Sequence, residues 1–589
     1  LKLAFDIEAN GLLETVNKIH CICVVDLETD EVYNFRPDQI EDGCRLLEKA
    51  DFLVGHNIIG YDLPVLRKVA DCWPTGTVID TMVVARLIYS NLKETDANLV
   101  RQQRLAKELY GSNSLKAWGQ RIGIKKDEYE GGFEEFNEEM FRYCQQDVQV
   151  LRALWHYLKP QGYSEPAIRL ENDIAEVCYE IEQAGWTFDQ GKAADLYAKL
   201  VDRRDELSKA LIDKFGTWQE VDKVLVPKRD NKTLGYKAGV PVTKMKTVEF
   251  NPNSRQHIEK KLREMGWKPE VFTDSGQAKL DEDTLSRIKF PEAQMLVEHF
   301  TITKRLGQLA DGDAGWMRVV QPDGRIHGRY NTMGTVTGRS SHFSPNIAQV
   351  PACGAPYGKE CRELFAVPPN WSLVGADMSG LELRCLAHYL AHYDNGEYGE
   401  IVLNGDVHTA NQNAAGLPTR NDAKTFIYAF LYGAGPGKIG KIVNGTAKQG
   451  QALIDKFMQG LPAIRSLRRD VATAAARGYV KGLDGRHIPI RSEHAALNSL
   501  LQGCGAILCK RWVVDSYRAL SAKYKHGYDG DFVVVGWIHD EIQVACRSEI
   551  AEDVGHIVTQ CARDAGRDYK FKIRLDSEYK IGRSWADTH

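Results

Sequence analysis

The chain has 589 residues, 43% of them hydrophobic and 26% charged, with a formal net charge of −4 at pH 7. That balance belongs to a globular protein with real cores and excludes a disordered or fibrous one. No uncharged apolar run reaches the ~18 residues of a membrane span, so no membrane partner is expected. The overall charge gives no basic signature of nucleic-acid binding, although only a cleft has to be positive. The 13 cysteines are scattered, Cys21 and Cys23 being the closest pair, and lack the Cys-x-x-Cys spacing of a zinc site. They read as small buried residues, reduced in a cytosolic compartment. The chain opens at Leu1 on a strand-like run, without the pattern of a signal peptide, and a few residues before it are expected to have been lost or trimmed.

Residues 1 to about 160 alternate β-rich runs (LKLAFDIE, IHCICVVDL, DFLVGHNI) with helical patterns, which predicts an α/β region. Asp6 and Glu8 stand two apart in the first run, so a strand turns both to one face. Two carboxylates held close in a low dielectric repel, and a hard divalent cation between them relieves this. Alone, the pair reads more simply as two solvent-facing acids. His56-Asn57 follows the next strand-like run and Asp62 comes shortly after; Tyr143 and Asp147, four apart, share one face of a predicted helix.

From about 165 to 310 the patterns are mostly helical. A basic, Gly- and Pro-containing stretch between Trp218 and Phe250 interrupts them and reads as an exposed loop or small insertion, either a plain linker or a contact for DNA or a partner. From about 312 onward, strand-like runs (SLVGADMS, FVVVGWIHDEIQVAC) flank a helical block at about 390–497, which predicts a discontinuous domain with a helical insertion. Asp377 ends the first apolar run, and His539-Asp540-Glu541 lies between two others, as at a hairpin tip. Between them, Pro418-Thr419 suits a helix start, with Gly433 and Gly435 its end. On that helix Arg420, Lys424, Tyr428 and Tyr432 are spaced by four and form one slowly winding stripe. Two cations followed by two rings match a nucleoside triphosphate: phosphates meet charge-assisted donors, and a ring stacks under a base.

The order DIE, HNIIGYD, YCQQD resembles the three motifs of DnaQ-like proofreading exonucleases. DMSGLELR, RNDAKTFIYAFLYG and HDE resemble motifs A, B and C of family A (DNA polymerase I-like) polymerases. TVTGRSSHFSPNIAQVP, FNPNSRQHIEKKL, KGLDGRHIPIRS and HAALNSLLQGCGAILCK are similar to the replicative polymerases of the coliphage T-seven (podovirus) type, and the likeness covers almost the whole chain.

That resemblance implies an α/β and α+β multidomain fold: an RNase H-like exonuclease domain at 1–160, a thumb at 165–311 with a short basic insertion at 219–247, palm segments at 312–389 and 498–589, and fingers at 390–497. It implies template-directed DNA synthesis with 3′→5′ proofreading, with two Mg²⁺ at each site. Asp377 and Asp540 would hold one pair of ions, and Asp6, Glu8, Asp62 and Asp147 the other, with Tyr143 orienting the attacking water. Arg420, Lys424 and His408 would clamp phosphates, Lys424 also protonating the leaving pyrophosphate; Tyr428 would stack near sugar and base, and Glu382 would exclude a ribose 2′-hydroxyl. Arg339, Asn498 and Gln502 would read the minor groove, and His539 and Glu541 would support the primer end. The implied partners are primer-template DNA, dNTPs, a helicase-primase and a single-stranded DNA-binding protein. Only the short basic stretch stands where the relatives capture thioredoxin, so thioredoxin is not expected to be required. A monomer acting in an infected bacterial cytoplasm is expected, an organellar origin being the alternative. A single-subunit RNA polymerase is the rival enzyme, against which Glu382 and the exonuclease motifs speak. A decayed DNA-binding scaffold is the non-enzyme rival, against which the full set of six metal carboxylates speaks.

Overall fold

The computed structural model describes residues 1–124, 129–273, 275–492 and 495–589. Its contacts divide the chain into two units. One holds Leu1–Trp186, His327–Gln349 and Val367–His589; the other holds Thr187–Ile326 and Val350–Ala366.

The first unit opens on a sheet of β1 (Lys2–Ala9), β2 (Ile19–Asp26), β3 (Val32–Phe35), β4 (Phe52–Gly55) and β5 (Thr77–Asp80), in the order β3-β2-β1-β4-β5. Central β1 runs antiparallel to β2 and parallel to β4. Its alternation splits two cores: Leu3, Phe5 and Ile7 pack with Ile22, Val24 and Leu53, while Ala4 packs on the other face with Cys21, Cys23 and Val54. Helix α1 (Asp62–Ala70) follows β4. Helix α2 (Glu138–Leu158) covers the Ala4 face with Phe141, Cys144, Val148, Leu151 and Trp155, residues spaced at helical intervals. Asn137 caps α2, its side chain accepting from the Met140 N–H at 2.8 Å. Helix α3 (Glu165–Ala184) comes next.

The carboxyl-terminal part of this unit is built on a second sheet: β6 (Trp371–Met378), β7 (Phe532–Ile538), β8 (Glu541–Arg547) and β9 (Ser577–Gly582), ordered β7-β8-β6-β9. After β6, Ser379 and a left-handed Gly380 (φ +56) lead into α4 (Leu381–Asp394), so a strand end and a first helical turn come close in sequence. Then follow α5 (Val407–Ala415), α6 (Arg420–Leu431), α7 (Ala496–Lys523) and α8 (Ala551–Asp564). Thr419 caps α6 by accepting from the Asp422 N–H, and Phe426 and Phe430 pack with Phe457 of the neighbouring helix Ala447–Gly460. A charged knot lies inside the unit. Glu171 of α3 takes Arg486 at 2.6 Å and Lys510 of α7 at 2.5 Å, and Arg486 also grips Asp484 at 2.6 Å, all four side chains being buried.

In the second unit, helices Gln190–Phe215, Arg255–Glu264 and Pro291–Leu306 share a core of Leu211, Ile258, Leu262 and Leu296. The basic stretch between Trp218 and Phe250, read as an exposed loop or small insertion, has regular structure on both sides of an exposed connection. It is an antiparallel hairpin of Thr217–Leu225 with Val242–Glu249, paired from Thr217↔Glu249 to Leu225↔Val242. The β-branched and polar alternation at its two ends governs there, and Pro227, Gly235, Gly239 and Pro241 fall in the connection. Among the described residues, no helix is long and apolar enough to cross a membrane.

Removing one partner of a buried ionic group strands the others without compensation, at about 3–5 kcal/mol. Glu171→Ala is therefore expected to lower the thermal midpoint clearly, read by calorimetry. A variant melting with the parent chain would show that the knot contributes nothing.

Candidate active sites

On β1, Asp6 and Glu8 continue the face of Ala4, beneath α2. Asp62, the first residue of α1, is 4% exposed and accepts from the Ile7 N–H at 3.2 Å, which brings it to the backbone between the two. Burial, joined by the charge of Asp80, pushes the Asp62 carboxyl up to about 7. Asp147 is buried on α2, and Tyr143 stands one turn before it, its ring 5.6 Å from that of Tyr129. The turn after β4 needs its glycine: a Cβ on Gly55 would lie 1.9 Å from Ile58 Cγ2. Asp80, which the sequence reading missed, holds this turn together. Its carboxylate accepts from Asn57 N–H at 2.9 Å and Ile59 N–H at 3.3 Å, with Asn57 in the left-handed region.

In the second sheet, Asp377 stands opposite Glu541 in the β6–β8 register. His539, at φ +57, and Asp540 form the turn between β7 and β8, and the Asp540 carbonyl accepts from the Met378 N–H at 3.0 Å. Asp377 is pushed up to about 6 by burial first, then by the charge of Glu541. Asp540 is raised by burial and by Glu382. Glu541, assigned from sequence to the primer end, is 3% exposed. It accepts from Trp585 Nε1 and from Gln543 Nε2 at 2.6 Å, so its carboxylate faces the Asp377 side and the core. Asp6 with Glu8, and Asp377 with Glu541, bring carboxylate oxygens within 4.8 Å of one another, and such pairs of oxygen donors fit a hard divalent cation such as Mg²⁺.

The helical stripe is real, and Arg420 and Tyr432 already have partners. Arg420 Nε donates to Asp406 at 2.8 Å. Tyr432 donates to Glu382 at 2.8 Å, and the Arg339 guanidinium lies over its ring at 5.8 Å. Lys424 is exposed and Tyr428 half-buried. The Tyr428 hydroxyl is raised by burial and then by the charges of Glu382 and Asp540, which ties the stripe to the acids. The His408 ring lies 6.2 Å from that of Tyr428; burial, then Arg420 and Lys424, hold its pKa below the ordinary value. On α7, Gln502 donates to Asn498 at 2.9 Å and accepts from Thr337 at 3.3 Å. A cavity lined by Arg339, Glu382, Tyr432, Cys509, His539 and Asp540 opens among these groups.

A model of "DNA polymerase family A" matches residues 238–587, and one of the RNase H superfamily matches residues 3–159. The chain belongs to DNA polymerase family A. This polymerase is 39% identical over 703 aligned residues to the DNA-directed DNA polymerase of Enterobacteria phage T3, covering all of both chains. It is 39% identical over 700 to that of Escherichia phage T7, covering 99% of each. Both alignments exceed its 589 residues, so those relatives carry segments the polymerase lacks. It is 25% identical to DNA polymerase I of Pseudomonas aeruginosa over 76% of this chain and 47% of that protein. The polymerase domain of Pol1 from M. smegmatis, solved with DNA primer-template and dNTP, has the same fold at a TM-score of 0.75 and 18% identity, covering 100% of this chain and 97% of that one. The polymerase thus carries an RNase H-like domain ahead of a family A domain.

One residue near the acids had no sequence signal. His589 Nδ1 lies 2.8 Å from Glu541 and 3.9 Å from Asp377, a juxtaposition that only the packing of the last helix creates. The raised acids also set a pH dependence. Asp377 at about 6 and Asp62 at about 7 lie above the ordinary 3.8, so between those values the unfolded chain is ionised while the folded one keeps its protons. Ionising them works against folding, and their contribution to stability falls as pH rises from about 4 to 7. A cation that neutralises them should recover that loss. The rise in thermal midpoint on adding Mg²⁺ is expected to be larger at about pH 8 than at about pH 5; equal rises would refute this.

Proposed function

We propose that this chain copies a primed DNA template from dNTPs at the Asp377–Asp540 site and trims mispaired 3′ ends at the Asp6–Glu8–Asp62–Asp147 site, in phage genome replication. The observation that carries the reading is the meeting of two things: an acid set at the β6 end and the β7–β8 turn, and the cation-and-ring stripe of α6, joined where Tyr432 donates to Glu382 in a cavity that Asp540 also lines.

Asp377 and Asp540 would hold two Mg²⁺, and the four exonuclease acids two more. When bound, such ions lower the pKa of the attacking hydroxyl or water and neutralise the leaving oxygen. Arg420 exchanges Asp406 for a phosphate of the incoming nucleotide; an exposed ion pair of this kind is worth little and is easily given up. Lys424 adds a second cation and is placed to protonate pyrophosphate. His408 contributes a further donor to the phosphates. Tyr428 stacks near sugar and base. Glu382, fixed by Tyr432, blocks a ribose 2′-hydroxyl. Arg339, Asn498 and Gln502 meet the minor groove of the new duplex, where acceptors occupy similar places in every correct pair, and His539 supports the primer end. Glu541, beside Asp377 and held by Trp585 and Gln543, supports the primer end. At the other site Tyr143 orients water.

Primer extension and 3′-end degradation separate the two sites. Asp377→Ala should abolish synthesis and spare degradation, and Asp6→Ala should do the reverse. Loss of both in either variant would refute two independent sites.

The remaining partners are a replicative helicase-primase and a single-stranded DNA-binding protein, with a monomeric polymerase working in the cytoplasm of the bacterial host. The hairpin at Thr217–Glu249 holds duplex through its lysines, and thioredoxin is not required; the shortness of this hairpin supports the reading. Extension lengths should be the same with and without thioredoxin, and a large increase on adding it would overturn the claim.

A further inference from the structure

Beside the exonuclease acids lies a second set of ligating atoms that the reaction above does not use. In the β1–β2 register Asp6 stands opposite Cys23, and Glu8 opposite Cys21. Residues directly opposed across an antiparallel pair share a face. A strand carrying two hard oxygen ligands therefore lies beside one carrying two soft sulfur ligands. Cys144 closes the set from α2: its thiol and those of Cys21 and Cys23 lie within 4.8 Å of one another. The same sulfur is within 4.8 Å of ligand atoms of Asp6 and Glu8, and its S–H is in donating range of two Asp6 oxygens, the backbone carbonyl at 3.5 Å and Oδ2 at 3.7 Å. All three cysteines are free and at most 1% exposed.

We propose that Cys21, Cys23 and Cys144 form a binding site for one thiophilic metal ion of the Zn²⁺ or Cd²⁺ class, and that filling it switches off the exonuclease while sparing the polymerase. Zinc–sulfur bonds are ~2.3 Å, so three sulfurs around one ion sit ~4 Å apart and the cluster has to contract by less than ~1 Å. With Asp6 as the fourth donor the set has the usual tetrahedral number. Sulfur prefers soft ions to Mg²⁺, so the ion that serves the acids does not compete here. Each thiol that binds gives its S–H proton to the buffer. Contraction draws Cys144 and Asp6 together, which moves Asp6 off its place on β1 and pulls on the turn of α2 that carries Tyr143 and Asp147. The effect on trimming rests on the assignment of Asp6 to the Mg²⁺ site; the sulfur site does not. If the three cysteines are only small core residues, the cluster has no affinity for metal.

The test is a titration of the metal-free full chain with Cd²⁺, followed by the ultraviolet cadmium–thiolate absorption. A single equivalent should give the band, and the Cys21→Ala/Cys23→Ala double variant should lose that increment. With Mg²⁺ in excess, Cd²⁺ should slow 3′-end degradation by the parent chain at least about tenfold, the lower range seen when a partner of a ligating group is disturbed. Primer extension should stay unchanged, and the double variant should keep both activities. Extension by that variant reports its folding; if it fails, Cys21→Ala alone carries the same comparison. Absence of the band, or its survival in the variant, overturns the site. Equal inhibition of the variant places the ion on the acids and overturns the switch, as does a band with trimming intact. A parent chain that trims nothing in Mg²⁺ alone instead refutes the exonuclease reading, which the band distinguishes.

Discussion

Several carboxylates have to be kept close together in partly or wholly buried places, and much else in the first unit is arranged around that demand. Like charges a few ångströms apart in a poorly polarisable surrounding repel by several kcal/mol, so the acids are stable only where the backbone leaves them no alternative. Asp62 is caught by the Ile7 N–H, the Asp540 carbonyl by Met378 N–H, and Glu541 by Trp585 and Gln543. Strands provide this rigidity better than loops, since register fixes which side chains meet. The β6–β8 register sets Asp377 against Glu541, and the β1–β2 register sets Asp6 beside Cys23.

The groups read as nucleotide ligands are treated differently. Arg420 lies against Asp406 in a pair that is largely exposed and therefore cheap to exchange. Such pairs keep long side chains near their working positions before a ligand arrives, which lowers the ordering cost of binding. The acids are held by register and by hydrogen bonds, while Arg420 is held by an exposed, replaceable pair. The first set is suited to holding small ions and the second to admitting a new substrate in every cycle.

What could be read from the sequence was what depends on near neighbours. Asp6 and Glu8 follow from the period of a strand, the His539–Asp540 turn from two flanking apolar runs, and the α6 stripe from spacing by four. What escaped depends on distant pairing. Asp80 acts across a turn of β4 that its own helix does not announce. His589 reaches Asp377 only through the packing of the last helix. Cys21 and Cys23 looked like scattered apolar filler because Cys144, the residue that turns them into a cluster, lies more than a hundred positions away on α2. The hairpin at Thr217–Glu249 was hidden by Gly and Pro that belong to its connection and not to its strands.

Two sites on one chain also follow from energetics. A mispair costs ~1–3 kcal/mol in contacts, and at 1.4 kcal/mol per tenfold that supports only about ten- to a hundredfold discrimination. A second, hydrolytic encounter multiplies this factor without asking the first site for greater binding energy. The two encounters have opposite requirements: one must grip a well-formed duplex end, the other a frayed strand. One cluster of acids cannot meet both, because the side chains that shape the substrate around the ions would have to differ. The same kind of hard ion can serve both sites provided the sheets that hold the acids are separate. The chain has that arrangement, with Asp6 and Glu8 on the first sheet and Asp377 on the second.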